Sequence, residues 1–247
     1  MKISYREYHV SMRERFLFIG QGISLCVLVN YLFYRRILAF LFMLPVPYLW
    51  FRYKVKERNQ TRKKELNYQF RDALNMLSVS LRAGYSMENG LIEAEKDMRK
   101  LNGSGSEMVQ ELSYINRQIK LSIPVEELLT DLAARSEVED IKDFASVFRI
   151  ARKTGGNLAE IVTDCAGRIS EKIEVDKAIE MAVAAKKFEQ TIMSCMPCGI
   201  ILYMQLTSPG FFDGLYGTLF GVVFMSICLI LYVVSFWTGR RIVRIEV

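Results

Sequence analysis

Two long apolar blocks, one towards each end of the chain, constrain the fold more than any other feature of the sequence. They cover roughly 16–51 and 191–237, and most charged residues lie between or outside them. A single soluble core would instead spread its apolar residues at helix or strand spacing along the whole chain. The apolar fraction of 51% is close to that of ordinary globular domains, so the distribution, and not the total, predicts a membrane protein.

The two blocks divide into four predicted membrane spans. Arg35-Arg36 splits the first block, and Ser-Pro-Gly at 208–210 splits the second. A helix needs about 20 apolar residues to cross the hydrocarbon layer, so the shortest span requires help from flanking residues or forms a tight hairpin with its neighbour. The predicted spans are 16–34, 37–51, 191–206 and 218–237.

The basic residues predict which side of the membrane each segment occupies. The segments before the first span and after the last are rich in Lys and Arg, whereas the loop 207–217 contains neither. Because basic residues remain on the cytoplasmic side, the head, the middle and the tail are all predicted to be cytoplasmic. The predicted order is a cytoplasmic N-terminus (1–15), two membrane helices (16–53), a cytoplasmic helical domain (54–187), two membrane helices (188–237) and a cytoplasmic tail (238–247).

A basic cluster beside the second span accounts for the net charge of +6. Between residues 52 and 64 there are seven Lys or Arg residues and one acid, Glu57. Such a cluster fixes topology and contacts anionic lipid headgroups, so the charge requires no nucleic-acid partner. The predicted lipid-contact residues are Arg52, Lys54, Lys56, Arg58, Arg62, Lys63 and Lys64.

The middle of the chain is predicted to be an all-α antiparallel bundle. Apolar residues recur at helical spacing, and Gly, Pro, Ser and Asn occur where helices would end and begin. No helix breaker occurs between Leu158 and Met196, so the last helix is expected to continue to Leu206 and become the third span. The predicted bundle helices are about 61–83, 87–101, 107–120, 123–135, one capped by Ser136, and one capped by Asn157.

Two turns in this region share one pattern. Arg82-Ala-Gly84-Tyr-Ser86 and Lys153-Thr-Gly155-Gly156-Asn157 each place a stop glycine two residues after a basic residue and a capping residue two further on. The pattern indicates either an internal repeat or two separate uses of common capping chemistry. Either way, short turns favour antiparallel neighbouring helices.

The sequence offers no catalytic, metal or cofactor site. It has one histidine, and four of its five cysteines lie in apolar runs, including the Cys195–Cys198 pair. Lys153-Thr154 precedes its glycines, which is the reverse of a phosphate-binding loop. The spans carry no carboxylate, amine or imidazole in their interiors, which disfavours ion-coupled transport. We therefore expect a protein that is not an enzyme.

Two segments of the middle domain carry a longer pattern: 70–91, FRDALNMLSVSLRAGYSMENGL, and 148–161, FRIARKTGGNLAEI. In these residues the middle domain resembles the F domain of type II secretion and type IV pilus systems. The order of spans and the closing segment 239–247 also match, and the fit is closest to the inner-membrane platform proteins of the Tad/Flp pilus, TadB type. Lys153 departs from the family, which often carries an acid before the glycines.

The resemblance implies a platform that couples a hexameric cytoplasmic ATPase to pilin extraction and filament assembly. It implies as partners that ATPase, pilin subunits, a sister TadC-like protein and membrane lipid, in a homo- or hetero-oligomer. The expected partner contacts lie at the exposed ends of the bundle: Arg82, Gly84, Arg152, Lys153, Gly155 and Gly156. A membrane-anchored scaffold unrelated to pili remains an alternative, and a transporter subunit is a weaker one.

Overall fold

The computed structural model describes Tyr5 and residues 12–34, 45–208, 210–211, 214 and 218–245. These residues form helices and no strand, which confirms the all-α prediction for the part of the chain described. In chain order the helices are α1 (Met12–Phe33), α2 (Pro45–Arg82), α3 (Met87–Asn102), α4 (Glu107–Ile119), α5 (Val125–Ser136), α6 (Glu139–Thr154), α7 (Leu158–Thr207) and α8 (Leu219–Ile245).

Two predicted boundaries were wrong. The helix expected at 61–83 is the second part of α2, which spans Pro45–Arg82 among the described residues and so also includes Pro45–Phe51 of the predicted second span. Ser136 does not cap α6 but is the last residue of α5. Glu137 takes a left-handed conformation (φ 53°) after it, and Val138 occupies the N-cap position of α6.

The long last helix is present as predicted. Helix α7 is continuous over 50 residues, with Pro197 inside it, and it ends at Thr207, just before the Ser-Pro-Gly break. Arg35-Arg36 and residues 37–44 of the second predicted span lie outside the described residues, and Pro45–Phe51 of that span belong to α2.

The described residues fall into two compact units. The first comprises Tyr5 and Val55–Val175, and it is a bundle of helices around one apolar core. Three aromatic rings occupy the centre of this core: Phe70 packs edge-to-face on Phe144 at 5.5 Å between centroids, and Phe148 lies 5.8 Å beyond Phe144. Burial of such large rings, with the surrounding aliphatic core, stabilises helices that would be marginal in isolation.

The second unit comprises the described residues of 10–54 and 176–247, and its helices are strongly apolar. By length and composition, Met12–Phe33 and Phe220–Ile242 can each cross a membrane. Helices α1 and α2 approach closely, because a Cβ added at Gly22 would lie 3.0 Å from Pro47 Cα.

Within the second unit, α7 and α8 run antiparallel and are joined by polar contacts. Gln190 Nε2 donates to the carbonyl oxygen of Phe236 at 3.5 Å, and Tyr232 Oη donates to the carbonyl oxygen of Ser194 at 2.8 Å. The predicted third span, 191–206, lies within α7. This helix is not one of the two described helices that are long and apolar enough to cross a membrane, because the Gln, Ser, Thr and Pro residues of 191–206 lower its hydropathy.

Candidate partner interface at one end of the bundle

The two turns that share a sequence pattern also share a backbone conformation. Gly84 ends α2 with φ +90°, and Gly155 ends α6 with φ +71°, a region that disfavours residues with a Cβ. In both turns the N–H after the glycine donates to the carbonyl five residues earlier, as in a Schellman motif. These hydrogen bonds join Tyr85 to Ser80 (3.1 Å) and Gly156 to Ala151 (2.9 Å).

Each turn then begins the next helix in the same way. Ser86 Oγ accepts a hydrogen bond from the N–H of Asn89 at 3.3 Å, and Asn157 Oδ1 accepts one from the N–H of Glu160 at 3.4 Å. A side-chain oxygen that accepts from the third residue along is the usual N-cap interaction. The shared pattern is therefore realised in the geometry of both turns.

Helices α2 and α6 are parallel, and this places the two turns at the same end of the bundle. Their contacts repeat at nearly constant separation: Lys63 with Glu137 (2.8 Å), Asn67 with Asp140 (2.6 Å), and Phe70 with Phe144 (5.5 Å between centroids). The separations are 137 − 63 = 74, 140 − 67 = 73 and 144 − 70 = 74 residues. If the separation of 74 residues continues to the end of both helices, Arg82 lies at the same height along the bundle as Gly156.

The predicted contact residues at this end are basic and exposed. Arg82, Arg152 and Lys153 are all exposed to solvent. Arg152 Nη1 lies 3.9 Å from Glu88 Oε1, so the end of α6 meets the start of α3, and the two side chains are 39% and 41% exposed. An ion pair this exposed stabilises a protein by less than about 1 kcal/mol, so a partner can replace it at little cost.

Exposed apolar side chains near these turns were missed by the sequence analysis. Val79 is 67% exposed, Tyr85 51% and Ile150 61%. Val79 and Ile150 lie on the helix faces opposite the buried stripes, where a solvated helix would carry polar residues. An apolar residue on the polar face of an amphipathic helix is the signal that would have identified them. Together with the basic residues, they give this end a surface suited to an acidic and apolar partner segment.

The basic cluster at 52–64 lies along α2, and two of its members pair with acids of the bundle. Arg62 bonds Glu107, and Lys63 Nζ bonds Glu137 Oε2 at 2.8 Å. Near the start of the helix, Arg52 and Lys54 lie over the rings of Tyr48 and Trp50 at 6.0 and 5.7 Å. The remaining predicted lipid-contact residues, Lys56, Arg58 and Lys64, are exposed along the same helix.

A buried charged cluster was also missed. Glu111 is 2% exposed, and its carboxylate accepts hydrogen bonds from Arg135 Nη1 (2.6 Å), Arg135 Nη2 (2.7 Å) and Tyr5 Oη (3.2 Å). Hydrogen bonding to Glu111 raises the pKa of Arg135, and burial raises the pKa of Tyr5. The signal in the sequence is that Glu111 falls within the buried stripe of α4, beside Met108 and Leu112.

Metal-binding and redox chemistry have little support among the described residues. Within the described ranges no group of three or more His, Cys, Asp or Glu side chains is placed to hold a metal ion. The Cys165 thiol, partly buried against the bundle core, has its pKa raised by burial, which makes it a poor nucleophile.

These features define a helical bundle joined in one chain to apolar helices of membrane-spanning length, with the two similar turns at one end of the bundle. The model of the family described as type II secretion system (T2SS), protein F, matches residues 73–206, more than half of the chain. The chain belongs to this family. The match includes both turns and indicates a platform protein of a secretion or pilus-type machine, consistent with an inner-membrane location. No curated protein and no solved structure matches the chain.

Proposed function

We propose that this chain is an inner-membrane platform protein of a Tad/Flp-type pilus or a related type II secretion-like machine, and that it is TadB-like. In this role it couples a cytoplasmic assembly ATPase to the extraction of pilin and the growth of a filament. The observation that carries the proposal is the family match over 73–206. The Tad/Flp assignment adds the resemblance of segments 70–91 and 148–161, which contain the two turns.

The proposed topology is four membrane spans with the bundle and both termini in the cytoplasm. Two helices of spanning length, Met12–Phe33 and Phe220–Ile242, support the outer pair of spans. The antiparallel contacts of Gln190 and Tyr232 support the third, since a helix paired along a membrane span occupies the same layer. The basic cluster at 52–64 supports a cytoplasmic bundle.

The proposed working surface is the bundle end that carries Gly84 and Gly155. Its exposed Arg82, Arg152 and Lys153 lie beside exposed apolar side chains, and such a combination suits recognition by a protein rather than by a small molecule. Helix α7 then supplies a mechanical link, because its 50 residues belong partly to the bundle and partly to the apolar unit. The apolar helices are the proposed contacts for pilin, a sister platform protein and lipid.

The proposed role is not enzymatic, so the chemical energy comes from the partner ATPase. The exposed bundle end is both basic and apolar, which suits a protein partner and so favours the platform role. Transport would instead require a polar path through the apolar helices. A membrane-anchored scaffold would use the same exposed end with a different cytoplasmic partner, and the identity of the captured partner separates the two roles.

The test is a crosslinking pull-down from native membranes, read by mass spectrometry. We expect a hexameric pilus- or secretion-type ATPase, a second F-family protein and a pilin among the specific partners. The control is the same pull-down with a chain in which the two basic residues of the α6 terminus carry the Arg152→Glu and Lys153→Glu changes. Recovery of other cytoplasmic proteins, with neither ATPase nor pilin, would refute the platform role and favour the scaffold.

A further inference from the structure

Tyr5 belongs to the core of the bundle, although it lies near the start of the chain and before the first apolar helix. Its side chain is completely buried, and it is grouped with the apolar core residues of the first unit. Helix α1 begins at Met12, only seven positions further along the chain. A tyrosine this deeply buried needs specific contacts, because its hydroxyl requires a hydrogen-bond partner when it is removed from water.

Both the hydroxyl group and the aromatic ring of Tyr5 make specific contacts. The hydroxyl donates to Glu111 Oε1 at 3.2 Å, and the guanidinium carbon of Arg62 lies 4.9 Å from the ring centroid. Arg62 is held in turn by Glu107. Phenylalanine would retain the contact with the cation but remove one of the two donors to Glu111 Oε1, leaving Arg135 Nη1 as the other.

The Glu111 carboxylate is oriented by Arg135 as well as by its contact with Tyr5. Both of its oxygens accept from Arg135, at 2.6 and 2.7 Å, and Arg135 also donates to Asp131 at 2.8 Å. A carboxylate fixed in this way has a defined free direction for a further donor, since bidentate pairing restricts its rotation. The site is therefore built by α2, α4 and α5 to accept an aromatic hydroxyl.

We infer that Tyr5 is an anchor that fastens the N-terminal segment to the bundle through the site formed by Arg62, Glu107, Glu111 and Arg135. Tyr5 is then held on the bundle by its side chain as well as by the covalent chain.

The anchor is tested on the full chain in detergent, without any partner. The variants are Tyr5→Ala and Tyr5→Phe, and the control is Tyr85→Ala, which removes a half-exposed tyrosine outside the core. The rate of tryptic cleavage after Arg6 reports release of the segment, and hydrogen exchange in α4 reports loss of the contact with Glu111. We expect Tyr5→Ala to increase both by roughly tenfold or more, Tyr5→Phe to increase them less, and Tyr85→Ala to leave both unchanged.

Unchanged cleavage and exchange in Tyr5→Ala would overturn the anchor, and a Tyr5→Phe chain identical to wild type would overturn the assignment of the hydroxyl to Glu111. If Tyr5→Ala fails to fold, Tyr5→Phe still decides, because it keeps the ring in place. None of these readouts depends on an ATPase or a pilin. Failure of the anchor therefore remains distinct from failure of the platform role.

Discussion

Arg135 of α5 and Glu111 of α4 form a bidentate pair. Arg135 Nη1 donates to Glu111 Oε1 at 2.6 Å, and Arg135 Nη2 donates to Glu111 Oε2 at 2.7 Å. The Glu111 side chain is 2% exposed and that of Arg135 15% exposed. Taking two charges out of water is costly, and only good geometry with further hydrogen bonds offsets that cost. Asp131 and Tyr5 provide those further bonds, so the whole cluster depends on the shape of the guanidinium group.

Arg135→Lys should therefore destabilise the bundle far more than the same change at a surface pair. Lysine keeps the charge but offers no planar fork, so at least one bond to Glu111 is lost, at about 1–3 kcal/mol. The matched control is Arg99→Lys, because Arg99 is 52% exposed and bonds Glu95 at 2.7 Å within one helix. That change should cost less than about 0.5 kcal/mol. Thermal unfolding in detergent gives the comparison, and equal losses at the two sites would contradict the special role of the buried pair.

Tyr5 should make stability fall at high pH. Burial, followed by the charges of Glu111 and Glu107, raises its pKa in the folded chain above the ordinary 10.0 of an unfolded tyrosine. The neutral hydroxyl therefore contributes its full stability below pH 10.0, and the contribution declines as pH rises further, by at most about 1.4 kcal/mol per pH unit. Tyr5→Phe cannot ionise there. Unfolding midpoints from about pH 8 to 11 should show the wild-type advantage shrinking above pH 10, and parallel curves would contradict it.

Much of the helical architecture could be predicted from the sequence because it depends on local chemistry. The stop glycines, the caps at Ser86 and Asn157, and the uninterrupted run of α7 all follow from residues close together in the chain. The continuity of α2 could not be predicted this way, because 37–51 were assigned to a membrane span and 61–83 to a separate bundle helix. Ser136 was misassigned since both a helix end and a helix start tolerate serine.

The candidate sites also divide into those that local sequence identifies and those that depend on packing. Arg82, Arg152 and Lys153 were identified because they adjoin recognisable turns, but their placement at one end of the bundle depends on the parallel register of α2 and α6. The Tyr5 site could not be found from the sequence, since Tyr5 and its hydrogen-bond partner Glu111 alone lie 106 positions apart. Only packing brings them together, and no local pattern reports it.

Gly84→Ala and Gly155→Ala should each destabilise the bundle by about 1 kcal/mol. Both glycines have positive φ, at 90° and 71°, and a Cβ would meet no atom within 4 Å at either position, so the cost is backbone strain alone. Gly167→Ala is the control, because Gly167 also has open space but lies inside helix α7. That change should stabilise the helix by about 0.5–1 kcal/mol. A loss of stability at Gly167, or none at the two turns, would contradict this account.

Arg152→Glu with Lys153→Glu should abolish capture of the ATPase that the proposed platform role requires, without unfolding the bundle. The exposed pair of Arg152 with Glu88 at 3.9 Å contributes little to stability, whereas reversal of two charges in a binding surface opposes an acidic partner. Lys96→Glu with Lys100→Glu makes the same charge change on α3, where both lysines are well exposed. We expect ATPase co-purification and filament assembly to be lost in the first chain only. Equal capture by both would place the contact elsewhere.

A cysteine pair at 190 and 239 tests whether the end of α7 is packed along α8 in the membrane. A Cβ added at Gly239 would lie 3.5 Å from Gln190 Cγ, so Gln190→Cys and Gly239→Cys bring two thiols to bonding range. In a background without the five native cysteines, mild oxidation should join the two helices within one chain, seen as a mobility shift that reductant reverses. The control pairs Gly239→Cys with Ile192→Cys, since Ile192 is 47% exposed and follows Gln190 by two residues on a different helix face. Equal crosslinking of both pairs would show that α7 rotates freely beside α8, and the third proposed span would then lose its main support.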